Sequence, residues 1–513
     1  MRLGGRRNPS RLSADPTLPP TAGLTWSSER RAREALAAAI DAVGGLDRLE
    51  AIRTVFADRA GHLHLRNQSP RPEGPWLALA RRGWDALDLA AGAAASEREG
   101  CFAGGYVDHV REVFAGGSGM VLDLHARTVR RAPGMRRGEL DAVERTFPPL
   151  ALLAAWRRAA TLRWLGEETR GGRRLAAVSF HWEGAGTYSL LLDAESRLPA
   201  ALETLTSDRT AGDAVYGFLF DDWRRVDGVL APFRLEHRRA GETTAVFASA
   251  EVAVDRPLEP ALFAVPAGFV EAEPAAGGPS RLTRLADDVW LIEGLGGRLA
   301  YNALAVGFER EVVVVEAPLA SSVGEEVLAR AAEAMPGRPV TTLALTHHHD
   351  DHSGGTRPFV AAGATILTTA GNVDYLRAMA AAPRTLHPDR LAGEPREPTI
   401  EVVRGRRTLG DGRRRLELIE VGPSPHVDEM LVAWLPEEGI LFQGDLLNVP
   451  RGGPVPPAVD TTVHFARKLA ELELEPRVHV GVHGTAGGPE HLAEALERRR
   501  RLDAGEDPWG RVD

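Results

Sequence analysis

Cysteine is almost missing from this chain: Cys101 is alone among 513 residues. A single thiol cannot close an intrachain disulfide and cannot build a thiolate-rich zinc site, so any metal ion here has to be held by imidazoles and carboxylates. Long apolar runs are missing as well. No stretch approaches the roughly 18 apolar residues of a spanning helix, which excludes a helical integral membrane protein. The basic N-terminus, MRLGGRRNPSRLSADPTLPP, lacks the apolar segment of about 7 to 15 residues that a secretory signal requires, so a cytoplasmic location is expected. Basic excess is also lacking. The formal net charge of −9 opposes the electrostatic grip that nucleic acid demands, and nucleic acid is not an expected partner. No G-x-S-x-G motif occurs, which removes the serine-hydrolase elbow.

What is present is the composition of a packed soluble protein, 43% hydrophobic and 26% charged. Its length exceeds what one core comfortably supports, so two domains are expected. The clearest boundary is EAEPAAGGPS, residues 271–280, where Pro, Gly, Ala and acids replace hydrophobic periodicity. Residues 1–25 read as a disordered N-terminus. Residues 26–270 read as a mainly antiparallel β domain with an N-terminal helix. In that helix Leu36, Ala39, Ile40 and Val43 recur at helical spacing, Ser27 and Ser28 are candidate caps, and Gly44 and Gly45 are the stop. The segments TYSLLLDAESRLPAALETL and TTAVFASAEVAV read as strands broken by turn residues, and the scattered tryptophans as core.

Residues 281–513 change character. Strands alternate with helices, starting at VWLIEG and the apolar run 312–315, continuing through a helix over about residues 322–335 and a strand VTTLALT. That strand ends directly in THHHDDHSGG, residues 346–355. Four donors in six residues, His347, His349, Asp351 and His352, are costly to bury unpaired, whereas a divalent cation satisfies them all. Alternation lets His347 and His349 face one metal while Asp351 and His352, further round the turn, reach a second. His348 and Asp350 then point elsewhere. Strand ends are where sites in α/β sheets are built.

With this run in hand, residues 281–513 resemble the metallo-β-lactamase superfamily of metallo-hydrolases, and the resemblance continues in order. VGPSPHVDEM supplies His426, LFQGDLLN supplies Asp445 and VGVHGTAG supplies His483. The resemblance implies an αββα sandwich, with His347, His349 and His426 on one metal, Asp351, His352 and His483 on the other, and Asp445 bridging. It further implies hydrolysis of an ester, thioester, lactone or similar bond by a hydroxide shared between two cations, with Asp351 also orienting that hydroxide. Asp445 resembles the glyoxalase II and lactonase branch. Zinc suits the histidines, and manganese or iron suits the carboxylates. Many relatives carry Asp where Glu316 stands.

Two rivals follow from the same residues. One is a mononuclear iron oxygenase of the same fold with an empty second site; the other is a non-catalytic, metal-stabilised binding or sensor protein. His387, His464, His479 and His491 lack clustered partners and are read as structural or surface residues, and His62 and His64 as one solvated strand face. In the first domain, FDDWRRVDGVLAPFRLEHRRAGET and PLEPALFAVPAGF, within residues 215–270, resemble the closing strands of lipoprotein-carrier-like domains. That resemblance implies a hydrophobic ligand, or a substrate-presenting role, for the first domain beside the small-molecule substrate of the second. Because every expected ligand lies beyond residue 280, the hydrolase is expected to be separable from the first domain.

Overall fold

In the computed structural model the described residues are 23–102, 106–132, 144–272, 279–297 and 300–509. The expected disordered segment, residues 1–25, lies outside them up to residue 22, and Leu24 already opens a helix, Leu24–Val43. Most of the expected linker, residues 273–278, also lies outside. The helix buries Ala32, Leu36, Ala39, Ile40 and Val43 on one stripe, the spacing its sequence carries, and ends at Gly44. Ser27 and Ser28 are not its caps. The helix starts a turn earlier, at Gly23, and Ser28 Oγ pairs with the Trp164 backbone instead, accepting from its N–H at 2.8 Å. This ties the helix to the strand Arg163–Arg170.

The first domain is one fourteen-stranded sheet. Two meanders, Thr54–His64 through Thr128–Ala132 and Arg163–Arg170 through Glu242–Val254, join where Thr54–His64 pairs antiparallel with Glu242–Val254. Among the described residues of this sheet, only the short Val270–Glu271 adds in parallel, beside Thr128–Ala132. Helices Leu24–Val43 and Pro148–Trp156 cover the sheet, and Leu36, Leu152, Phe180, Trp182, Leu202 and Phe220 pack into a common core. Fully burying each such side chain contributes about 1.5–3 kcal/mol. Trp182 meets the expectation of core tryptophans, but Trp26 does not. It is 44% exposed at the start of the helix, under Arg30.

The second domain is a four-layer α/β sandwich. A seven-stranded sheet contains Arg281–Ala286 through Thr399–Val402, and a five-stranded sheet contains Arg406–Gly410 through Val478–Gly481. The strand Val312–Val315 explains the layering. Val313 and Val315 pack with Leu418, Leu431 and Phe442 of the second sheet, while Val312 and Val314 pack with Val327 and Ala331 of helix Ser321–Ala334. A strand buried on both faces needs this unbroken apolar run. The helices Asp460–Glu471 and Pro489–Asp503 cover the other outer face through Phe465, Leu469 and Leu492.

Among the described residues, two turns of the first domain reach the second. Residues 65–77, which follow the strand Thr54–His64, lie against the loop bearing His349 and Asp350. The turn at 208–212 meets residues 383–385, where Asp213 N–H donates to Pro383 O at 2.7 Å and Arg384 donates to Arg209 O at 2.5 Å. Asn67 Nδ2 donates to Thr210 Oγ1 at 3.0 Å and joins the two turns.

Candidate metal centre

The strand Val340–Ala344 hands the chain to the histidine run, which closes in a single short helical turn, Asp350–Ser353. Glycine is required after it. A Cβ on Gly354 would stand 2.2 Å from Leu319 O, so the turn lies directly on neighbouring backbone. Glu316, at the end of Val312–Val315, pins the run from below. Its backbone is left-handed (φ 76°), its Oε1 accepts the Thr346 N–H at 2.7 Å, and its Oε2 lies 3.1 Å from His352 Nδ1. Glu316 therefore supports the histidine run from below.

His347, His349 and His352 each turn one ring nitrogen toward a common centre and the other away from it. His347 Nδ1 lies 3.0 Å from Thr346 Oγ1, and its Nε2 lies 3.3 Å from His426 Nε2. His349 Nε2 lies 3.0 Å from Ser69 O, leaving Nδ1 buried without a partner. His352 presents Nε2 to Asp445 Oδ1 at 3.1 Å. His426, in the loop before Leu431–Leu435, sets Nε2 3.1 Å from Asp445 Oδ2. His483, just beyond Val478–Gly481, sets Nε2 3.4 Å from both Asp351 Oδ2 and Asp445 Oδ1 and packs on Tyr301 with ring centres 5.0 Å apart.

Two groups result, each with donor atoms within 4.8 Å of one another: His347, His349, His426 and Asp445, and Asp351, His352 and His483. They fit metal ions. His349 Nδ1, His352 Nε2 and Asp445 Oδ1 are buried polar atoms with no hydrogen-bond partner, an arrangement that costs free energy unless a cation engages them. Burial and the neighbouring imidazoles push His347 and His349 well below the usual histidine range, holding them neutral as a ligand must be. Burial alone would raise Asp445, but His352 and His483 outweigh it and keep the carboxyl ionised. This His/Asp cluster could bind metal ions.

His348 turns away, into a polar crevice between the domains with Arg71, Glu73 and Asp428, and Asp350 takes a bond from Gln68 at 2.9 Å. Neither is in the two groups. Nor, among the described residues, are His62, His64, His387, His464, His479 and His491. His464 instead bonds Val421 O at 2.9 Å, and His479 packs on Phe465.

Sequence reasoning missed the first domain's part. Gln68 Nε2 donates to Asp351 Oδ1 at 2.7 Å as well as to Asp350, and Asp350 N–H reaches Asn67 O at 3.4 Å. Asp428 N–H donates to Pro70 O at 3.1 Å, and Arg71 pairs with Asp428. Arg209 adds a longer contact to Asp350, 3.6 Å. These bonds place residues 67–71 of the first domain directly behind the site, although every expected ligand lies beyond residue 280. A turn spelled NQSPRP carries no signal of such a role.

The family model described as the metallo-beta-lactamase superfamily matches residues 296–504. This part of the chain is a metallo-β-lactamase superfamily domain. Among solved structures, the metallo-β-lactamase domain is similar to a metallo-beta-lactamase from Pontibacter korlensis, at 20% identity over 42% of this chain and 95% of that one, with a TM-score of 0.33. Similar too are one from Hirschia baltica (19%, 42% and 95%, TM-score 0.32) and FIM-1 from Pseudomonas aeruginosa (18%, 45% and 99%, TM-score 0.33). No curated protein matches the chain. Beyond the metallo-β-lactamase domain, the first domain holds a cavity of about 380 Å³ lined by Leu63, Trp84, Phe114, Phe218, Leu235 and Phe247. Arg59 and Asp85 pair at its edge, and no helix of the described residues is long and apolar enough to cross a membrane.

Proposed function

We propose that the cluster holds two divalent cations and that the protein hydrolyses a small ester, thioester or lactone, in the manner of the glyoxalase II and lactonase branch. The observation that carries this reading is Asp445. Its Oδ2 faces His426 at 3.1 Å, and its Oδ1 faces His352 at 3.1 Å and His483 at 3.4 Å, so one carboxylate addresses both groups. His347, His349 and His426 would hold one ion, Asp351, His352 and His483 the other, and Asp445 both. Zinc is the first expectation for this donor set, with manganese or iron as alternatives. When bound, such a pair lowers the pKa of water and polarises the substrate oxygen.

The chain's own residues do the rest. Asp351 is held at Oδ1 by Gln68 and turns Oδ2 toward His483 at 3.4 Å, where it would help hold the second ion and orient the attacking water, and the buried floor of His347, His349 and His352 excludes bulk solvent. The apolar cavity of the first domain supports a second role there, binding a hydrophobic ligand or the apolar part of the substrate. The test is elemental analysis of metal-replete protein together with turnover of a panel of model esters, thioesters and lactones. Two ions per chain and hydrolysis that vanishes with chelator are expected. One iron per chain with no second ion and no hydrolysis overturns the reading in favour of a mononuclear site.

A further inference from the structure

We propose that Gln68 of the first domain is a positioning residue for the second cation, acting through Asp351. This deepens the two-cation reading above and rests on it. Asp351 is a short, mostly buried side chain on a single helical turn, and among the described residues of its own domain none hydrogen-bonds Oδ1. Gln68 does. Its amide nitrogen donates one hydrogen to Asp351 Oδ1 at 2.7 Å and the other to Asp350 Oδ1 at 2.9 Å. Two adjacent carboxylates are thereby held apart and oriented by a neutral donor, and Asp351 Oδ2 is left facing His483 at 3.4 Å and His352 at 3.8 Å.

The donor is itself firmly placed. Asn67 and Ser69, on either side of Gln68, are buried. Ser69 Oγ donates to Leu65 O at 2.7 Å and accepts the Leu77 N–H at 2.8 Å, closing the turn on itself. Asn67 is anchored to Thr210, and its left-handed backbone (φ 63°) directs the chain across the histidine loop. The Ser69 carbonyl, next in the chain, faces His349 Nε2 at 3.0 Å and so turns Nδ1 toward the first group. One turn of the first domain thus orients a ligand of each group, and outer partners of this kind typically change metal affinity about 10–100-fold when removed.

The test uses the full chain and zinc ions alone, titrated against a chromophoric chelator, with unfolding of the metal-free protein followed in parallel. Gln68→Met keeps the volume and removes both donors. It is expected to weaken one of two zinc sites about 10–100-fold, leave the other within about twofold, and leave the metal-free midpoint in place. Gln68→Asn, which keeps the amide, is expected to recover part of the loss. Unchanged affinities overturn the proposal, as does a parallel fall of both affinities and the metal-free midpoint in both variants, which marks a merely structural residue. Asp445→Ala is measured beside them. If wild type binds fewer than two ions, or Asp445→Ala binds as wild type does, the two-cation reading fails whatever Gln68 does. If Asp445→Ala loses zinc and Gln68→Met does not, only the positioning role fails.

Discussion

Glu316 Oε2 lies 3.1 Å from His352 Nδ1, and both side chains are fully buried. A carboxylate behind a histidine fixes its tautomer, because the nitrogen facing the acid carries the proton and the other is free as a donor to metal. Glu316→Gln removes the charge but keeps an oxygen for the Thr346 N–H. The expected result is zinc affinity lower by about 10–100-fold with little change in folding. Glu316→Ala strands both partners in the interior and is expected to cost about 3–5 kcal/mol of stability, measured by urea unfolding of the metal-free protein. If Glu316→Ala unfolds with the wild-type midpoint, the pair contributes nothing and the support role is wrong.

The alternation of the histidine run makes a sharper forecast. His349 stands in the first group and His348 in the crevice between the domains. His349→Ala and Asp445→Ala should each abolish hydrolysis and lower the zinc content per chain. His348→Ala should keep both metals and most turnover. Equal losses at 348 and 349 would mean that the alternation along the run is wrong.

In the first domain, His237 is wedged between Phe218 and Phe247 and is pushed down to about 4 by burial, with Arg59 adding to the shift and Asp85 opposing it. In the unfolded chain it titrates near 6.5, so between about pH 6.5 and 4 the unfolded state binds the extra proton. Stability is therefore full above that window and falls as pH drops through it, by up to about 3 kcal/mol for this group. His237→Phe removes the titration. The gap between wild-type and variant unfolding midpoints should shift in the variant's favour from pH 7 to pH 4.5, and a constant gap would show that His237 is not buried neutral.

How much of this was legible beforehand divides along sequence distance. The helix at Ser321–Ala334, the double-faced strand Val312–Val315 and the grouping of His347, His349, Asp351 and His352 rest on local period and spacing, and those patterns are written in consecutive residues. Ser28 misled because it matches a capping residue, and its real partner, Trp164, is 136 positions away. Gln68 and Asp351 are 283 positions apart, in different domains, and meet only because two sheets are docked. No periodicity encodes a docking. The same applies to Glu316, whose identity was visible but whose hold on His352 needs the turn that brings the two side chains together.

That docking can be tested without touching a ligand or its partners. Gly212 sits in the turn of the first domain that meets residues 383–385, with φ 73°, and a Cβ placed on it would lie 2.0 Å from Pro383 O. The obstacle is backbone, so Gly212→Ala has to move one domain relative to the other. Asn67 is tied to the same turn through Thr210, which means that the displacement reaches Gln68 and Ser69 and slackens their hold on Asp351 and His349. A positive φ also penalises alanine by itself, about 1 kcal/mol, and that part must be separated. Gly241 supplies the control, since its φ is 85° and nothing lies within 4 Å of its missing Cβ. Gly241→Ala should lose only the backbone term and bind zinc as wild type does. Gly212→Ala should bind one zinc ion at least tenfold more weakly, approaching the effect of Gln68→Met, although residue 212 is not among the groups that could hold metal. The measurement is chelator competition on both variants beside unfolding of their metal-free forms. If the two glycine variants bind zinc alike, the contact at Pro383 does not set the position of residues 67–69, and the first domain's influence on the site is confined to the bonds those residues make directly.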